Sequence, residues 1–180
     1  MNDESHQEYD DDFVAMLELV WGEGYLSPGG EEEVSRIVGD TDLSGKHVLD
    51  IGCGAGGIDL VLAEKFGAAR VTGIDTEKSL IDKCQVRAMQ SSVSDQLEFV
   101  HIVPGPLPFS DGYFDVVFSK DSLIHIEDKL SICAEVFRVL KPGGVFIASD
   151  WMRGNGPVSE ELQTYIDLED LGFGMGSLDD

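Results

Sequence analysis

The fold is decided by the stretch Val48–Gly57, which reads VLDIGCGAGG. An apolar run that ends in an acid and passes at once into glycines is typical of a buried strand followed by a tight loop and a helix. Glycines let the backbone approach a ligand closely, and a helix that begins there offers free N–H groups. The stretch therefore predicts a ligand site at the carboxyl end of this strand.

Outward from this stretch, strands alternate with helices. The first 44 residues predict a helix over Tyr9–Val20, whose apolar stripe we expect in the core, and a second helix that Ser27 caps ahead of Pro28. The helix after the glycines is expected to end at Gly67. Such alternation predicts an α/β fold with a doubly wound parallel sheet of five strands. The other predicted elements are the strands His47–Ile51, Arg70–Ile74, Leu97–Val103, Phe114–Ser119 and Val145–Asp150 and the helices Lys78–Gln90, Glu127–Leu140 and Ser159–Leu171.

The charge of the chain is large and unevenly placed. Among 180 residues, 35 Asp and Glu oppose 12 Lys and Arg, for a net charge of −23. Residues 1–35 and 154–180 contain acids but no Lys or Arg, so these flanks are either solvated surface or face something cationic. A chain this acidic repels nucleic acid and anionic membranes, and neither is an expected partner. We expect a helical cap over 1–44, a ligand-binding core over 45–151 and an acidic helical segment over 152–180.

Location and metal content are also predicted from residue usage. The first residues, MNDESHQEYDDD, are too polar for a signal peptide, and no apolar run approaches the roughly 18 residues that span a bilayer. The three cysteines, Cys53, Cys84 and Cys133, lie far apart, as is typical of reduced thiols. We therefore expect a cytoplasmic protein. No cluster of His, Cys and carboxylates has metal-ligand spacing, so no metal is expected.

Two acids narrow the class of ligand. Residues 52–57 match the dinucleotide pattern GxGxxG, which alone is a weak signal. We expect Asp50 to face the site, where its carboxylate would repel a pyrophosphate but suit S-adenosylmethionine (SAM), which carries an ammonium group and no phosphate. Asp75, at the end of the second strand, is placed either to accept ribose hydroxyls or to cap the helix that follows.

Four stretches resemble, in order and spacing, the landmarks of class I SAM-dependent methyltransferases: VLDIGCGAGG, GID at 73–75, FDVVFS at 114–119 and LKPGG at 140–144. This resemblance implies the Rossmann-like sheet of that class. Outside the core, WGEGYLSPGG at 21–30 and SKDSLIHI at 119–126 resemble the phosphoethanolamine N-methyltransferase family. That resemblance implies SAM as cofactor, S-adenosylhomocysteine (SAH) as its product, and a small amine as methyl acceptor.

The same resemblance implies roles for single residues. Tyr9 and His125 would form a catalytic pair, with Asp121 beside the transferred methyl group. His125 follows Asp121 by four residues, so a helical turn would place both on one side. Trp151 and Tyr165 match positions near the acceptor, where aromatic rings would hold an alkylated ammonium. The implied cofactor positions are Leu26, Ser27, Asp50, Gly52, Gly54, Asp75, Thr76, Val103, Ser119 and Ser122.

Three departures from that family alter the expectations. Val103 replaces the acid that usually contacts the adenine amino group, so backbone and apolar groups are expected to hold the ring. Glu169 stands near the acceptor where the family has a phosphate-binding arginine, which predicts an acceptor without phosphate. The C-terminal β hairpin that usually completes the sheet is absent after five strands. Either the chain is a fragment, or a second copy covers the open edge in a homodimer.

The sequence thus predicts a methyltransferase that moves a methyl group from SAM to the nitrogen of a small amine. Two other functions stay open. A methyltransferase acting on oxygen or carbon would keep the cofactor site without needing the Tyr9–His125 pair. A SAM-binding protein without catalysis is the other, and the Val103 replacement and the absent hairpin are its support.

Overall fold

The computed structural model describes residues 9–169 and 175–177. Its strands mostly alternate with helices, as the sequence predicts, although no helix separates the third strand from the fourth. The helices are α1 (Asp11–Trp21), α2 (Gly30–Val38), α3 (Gly57–Glu64), α4 (Lys78–Gln90), α5 (Lys129–Val139) and α6 (Glu160–Glu169). The strands are β1 (His47–Ile51), β2 (Arg70–Asp75), β3 (Leu97–His101), β4 (Phe114–Lys120) and β5 (Leu140–Ser149).

The five strands form one sheet in the order β3-β2-β1-β4-β5, and every neighbouring pair is parallel. The chain runs outward from β1 to β3 and then returns to place β4 on the other side of β1. In such sheets a crevice opens at the carboxyl ends of the strands where the order reverses. The topology therefore places a binding site beside the ends of β1 and β4.

The predicted doubly wound sheet is confirmed, and several predicted ends are corrected. The predicted cap at Ser27 is wrong, because α2 begins at Gly30 and its N-cap residue is Gly29, whose φ is 100°. The strand β5 begins at Leu140, ahead of the predicted start at Val145. Leu140 pairs with Phe114 and Val145 pairs with Val116, so residues 141–144 bulge out of the pairing.

The core lies on both faces of the sheet because successive strand residues point to opposite sides. On one face, Val48 of β1 packs with Val34 of α2 and Leu62 of α3. On the other face, Leu49 packs with Val136 of α5 and other buried residues. Within residues 9–169 and 175–177, no helix has the length and apolar character needed to cross a membrane.

Candidate active site

The glycine loop between β1 and α3 is held from two sides. The backbone N–H groups of Gly52 and Cys53 both donate to the carbonyl of Ile74 in β2, at 2.9 and 3.0 Å. The hydroxyl of Ser122 donates to the carbonyl of Gly52 at 3.2 Å. A Cβ on Gly52, whose φ is 74°, would lie 2.2 Å from that hydroxyl oxygen. Only glycine therefore fits at this position, and the loop backbone is fixed at the carboxyl edge of the sheet.

Asp75, the last residue of β2, contacts the same loop. Its carboxylate accepts hydrogen bonds from the backbone N–H groups of Gly54 at 3.0 Å and Glu77 at 2.9 Å. Burial raises the pKa of Asp75, although these backbone donors and the nearby charge of His125 act in the opposite direction. Because a carboxylate offers about four lone-pair sites, Asp75 retains the capacity to accept ribose hydroxyls.

A cavity of about 1290 Å³ opens at this edge of the sheet. Sites for one small molecule usually measure about 300–1,000 Å³, so this cavity has room for two ligands side by side. The glycine loop and Asp75 line one part of it, and α1, the segment after β4 and α6 line another. The sequence-predicted residues in its wall are Tyr9, Leu26, Ser27, Gly52, Gly54, Asp75, Thr76, Asp121, Ser122, His125, Trp151 and Tyr165.

The sequence predicts that Asp50 faces the ligand site, but in the structure it does not line the cavity. Its side chain is fully buried on the α3 side of β1, beside the fully buried Asp59. Burial and the neighbouring carboxyl raise the pKa of Asp50 well above its ordinary value, and burial also raises that of Asp59. Asp50 therefore lies beneath the glycine loop and outside the cavity wall.

Two further predicted positions lie elsewhere than expected, and a third is not described. Ser119 is buried, and its hydroxyl donates to the carbonyl of Ile51 at 3.1 Å, so it joins β4 to β1 outside the cavity wall. Val103 is 72% exposed and does not line the cavity, whereas its neighbours Ile102 and Pro104 do. The side chain of Glu169 lies outside the described residues.

Asp121 and His125 both line the cavity, but not by the predicted helical spacing. Asp121 has a φ of 53°, in the left-handed region, and precedes a short 3-10 turn over Leu123–His125. The backbone N–H of His125 donates to the carbonyl of Ser122 at 3.2 Å. Their shared side thus arises from a left-handed residue followed by a tight turn, and the expectation of one helical turn is wrong.

The sequence analysis missed the role of Lys120. Its side chain is fully buried at the end of β4, and its ammonium donates to the hydroxyl of Ser27 at 2.7 Å and the carbonyl of Pro28 at 2.8 Å. It also forms an ion pair with Asp121. Lys120 therefore links the segment between α1 and α2 to Asp121 in the cavity wall. Burial of a lysine at a strand end has no signal in the local sequence.

The apolar face of α1 lies largely along the cavity and not in the core, where the sequence predicts it. Among its apolar residues only Val14 is buried, whereas Phe13, Met16, Leu17 and Trp21 line the cavity. Met16 and Trp21 remain 49% and 40% exposed. An amphipathic stripe looks the same whether it covers a core or a ligand cavity.

Among the described residues, no three His, Cys, Asp or Glu side chains are grouped to hold a metal.

The chain is similar to known proteins in both sequence and structure. The profile of the methyltransferase domain family matches residues 49–148. Phosphoethanolamine N-methyltransferase 1 of Zea mays is 37% identical over 164 residues, which cover 88% of this chain and 32% of the maize protein. A sterol 24-C-methyltransferase of Gibberella zeae is 39% identical over 122 residues, covering 68% of this chain and 31% of that protein. The chain thus spans about a third of the length of these curated relatives.

A solved structure resembles this fold over nearly all of the chain. Phosphoethanolamine N-methyltransferase 2 of Haemonchus contortus, in complex with SAM, superposes with a TM-score of 0.87 at 26% identity. The match covers 97% of this chain and 40% of the nematode chain. The same protein is also known in complex with phosphomonomethylethanolamine and SAH.

Proposed function

The chain belongs to the methyltransferase domain family, and from that membership we propose that it transfers a methyl group from SAM to the nitrogen of a small amine. The observation that carries the proposal is the composition of one cavity. Its wall joins the glycine loop and Asp75, which suit a nucleoside, to Tyr9 and His125, which can move a proton.

The cofactor part of the cavity fits SAM in its chemistry. Asp75 would accept the ribose hydroxyls, and the loop backbone at Gly52 and Gly54 allows close approach of the amino acid part. The apolar wall for the adenine ring would consist of Ile102, Pro104 and Leu107. These side chains would compensate for the family's adenine-binding acid, which Val103 replaces in this chain. Leu26, Ser27, Thr76 and Ser122 complete the cofactor positions that we propose. When bound, SAM supplies a methyl carbon activated by its sulfonium group.

His125 is the base that we propose for the acceptor. An ammonium has no lone pair, so the amine must lose a proton before its nitrogen attacks. His125 is exposed in the cavity wall, where its imidazole can accept that proton directly or through the hydroxyl of Tyr9. Asp121 lies beside this position, and Trp151 and Tyr165 offer ring faces to an alkylated ammonium. The remaining catalysis is alignment of the nitrogen, the methyl carbon and the sulfur.

Cofactor binding and turnover test the proposal separately. By calorimetry, SAM and SAH should bind, and Asp75→Ala should weaken binding by about 1.5–3 kcal/mol through loss of charge-assisted hydrogen bonds. Asp82→Ala, on the exposed face of α4, is the matched control and should bind normally. A methyl-transfer screen over small amines should then show turnover. Cofactor binding without turnover on any acceptor would leave a SAM-binding protein instead.

Carbon methylation is the second candidate, because the sterol 24-C-methyltransferase resembles this chain at 39% identity over 122 residues. A sterol acceptor in the same screen distinguishes the two.

We also propose that a second copy covers the outer edge of β5, where Val145 and Phe146 are 42% and 37% exposed. Sedimentation at two protein concentrations tests that pairing.

A further inference from the structure

The charges around the cavity point to the class of acceptor. Resting on the function proposed above, we propose that the cavity selects a small amine with a net positive charge and discriminates against phosphorylated amines. The relatives named for phosphoethanolamine act on a molecule whose phosphate makes it a net anion. Within the described residues, the cavity wall offers that phosphate no Lys or Arg that is not already engaged.

Every Lys and Arg of the chain lies within the described residues, so their positions can be compared with the cavity. Only Lys120 lines it. Phosphate binding normally uses the forked donors of arginine or the ammonium of lysine, because a dianion removed from water needs compensating charge. The twelve bases are Arg36, Lys46, Lys65, Arg70, Lys78, Lys83, Arg87, Lys120, Lys129, Arg138, Lys141 and Arg153.

Lys120 is already engaged. Its ammonium has three donors, and the structure gives it the hydroxyl of Ser27, the carbonyl of Pro28 and the carboxylate of Asp121 as acceptors. The carboxylate of Glu33 lies 3.5 Å away as a further counter-charge. Its side chain is fully buried. A phosphate could reach this ammonium only by displacing the contacts that hold the wall of the cavity.

Helix N-termini are the other common phosphate sites, and at two that border the cavity a backbone N–H already has a hydrogen-bond partner. At α5 the carboxylate of Asp128 accepts from the backbone N–H of Ser131 at 3.0 Å. At α3 the backbone N–H of Gly57 donates to the carbonyl of Gly24 at 3.1 Å. A negatively charged cap repels a second anion, so the start of α5 is a poor site for a phosphate.

The acidic side chains of the wall make the opposite charge attractive. Six carboxylates line the cavity: Asp75, Glu77, Asp121, Glu127, Asp128 and Glu135. Asp121 pairs with Lys120, and Glu135 pairs with Arg138. The other four have no Lys or Arg within ion-pair distance in the described part of the chain. An ammonium that enters between these carboxylates and the rings of Trp151 and Tyr165 gains attraction from both.

The test compares three acceptors of graded charge: ethanolamine, glycine and phosphoethanolamine. We expect kcat/KM to fall in that order, with ethanolamine exceeding phosphoethanolamine by at least about tenfold, or 1.4 kcal/mol. The preference should shrink as salt screens the wall, whose charges act over a Debye length of about 10 Å at 0.1 M. A ratio at or below one overturns the inference while leaving the proposed methyl transfer standing.

Charge variants locate the effect. Glu127→Lys places a cation on the wall and should shift the ratio toward phosphoethanolamine by about tenfold. Asp95→Lys makes the same change in net charge on the exposed segment before β3 and should shift it by less than about twofold. Equal shifts in both variants would show an effect of total charge and overturn the assignment to the cavity.

Binding to the SAH-loaded protein separates the two proposals. If no acceptor is methylated but ethanolamine still binds more tightly than phosphoethanolamine, the proposed function fails and the charge selection holds. If phosphoethanolamine binds as tightly or more tightly, or if neither acceptor binds, the charge selection is overturned.

Discussion

Asp50 of β1 and Asp59 of α3 place two carboxyl groups side by side beneath the glycine loop, and both side chains are completely buried. No other side chain or backbone group donates a hydrogen bond to Asp50 among the described residues. Burial and the neighbouring carboxyl keep the pKa of Asp50 well above its ordinary value. Two neighbouring buried carboxyl groups disfavour each other's ionisation, so the pair retains a proton that free carboxyl groups would lose.

This pair should make stability depend on pH. The folded state retains protons that the unfolded chain loses above about pH 4. The free energy of unfolding should therefore fall as pH rises through the raised pKa values, by up to about 1.4 kcal/mol per pH unit for each proton. Asp75 and the thiol of Cys84 also face the pair and add to the effect.

Asp59→Asn removes one titrating group and leaves an amide that donates to Asp50. The slope of unfolding free energy against pH, measured in urea between pH 5 and 8, should become shallower. Asp95→Asn, an exposed acid on the surface, should retain the slope of the parent. Equal slopes for all three proteins would show that the folded pair does not retain a proton.

Lys120 should contribute far more to stability than a surface lysine. Removing one partner of a buried ion pair costs about 3–5 kcal/mol, because the other charge is left without compensation. We expect that range for Lys120→Met, whose partner Asp121 is only 12% exposed. Lys65→Met, which breaks the half-exposed pair with Glu31, should cost about 1 kcal/mol or less. Denaturant unfolding of both variants gives the comparison, and similar losses would contradict this account.

Gly57 should be required for cofactor affinity more than for folding. A Cβ there would lie 2.6 Å from the carbonyl oxygen of Gly24, in the connection that carries Leu26 and Ser27 into the cavity. In Gly57→Ala, the gain in helix propensity partly offsets the clash, so stability changes little while the connection moves. We expect SAM affinity to fall by about tenfold in calorimetry. Gly154→Ala, where a Cβ meets open space, should bind SAM like the parent.

Local signals explain what the sequence predicts well. The bounds of β1 match the prediction because an apolar run followed by glycines marks this strand directly. The bounds of α4 also match, because its apolar residues recur at helical spacing. Strand alternation fixes the face of β1 on which Asp50 lies. Whether that face meets the cavity or the buried interior is set by tertiary packing. Burial of Lys120 depends on Ser27 and Pro28, more than 90 residues away in sequence. Neither is encoded in a short window.

His125 should affect chemistry and not cofactor binding. Its imidazole is exposed in the cavity, on a turn that the backbone holds through Ser122, so its removal leaves the wall in place. Loss of a positioned base typically costs 10²–10⁴-fold in rate. We therefore expect His125→Ala to lower kcat by about 10²-fold or more, with SAM affinity from calorimetry unchanged. Added imidazole should restore part of the rate, because a small base can occupy the vacated space and accept the proton of the amine. A packing residue would behave differently: its loss would weaken SAM binding and lower kcat together, and imidazole would rescue neither.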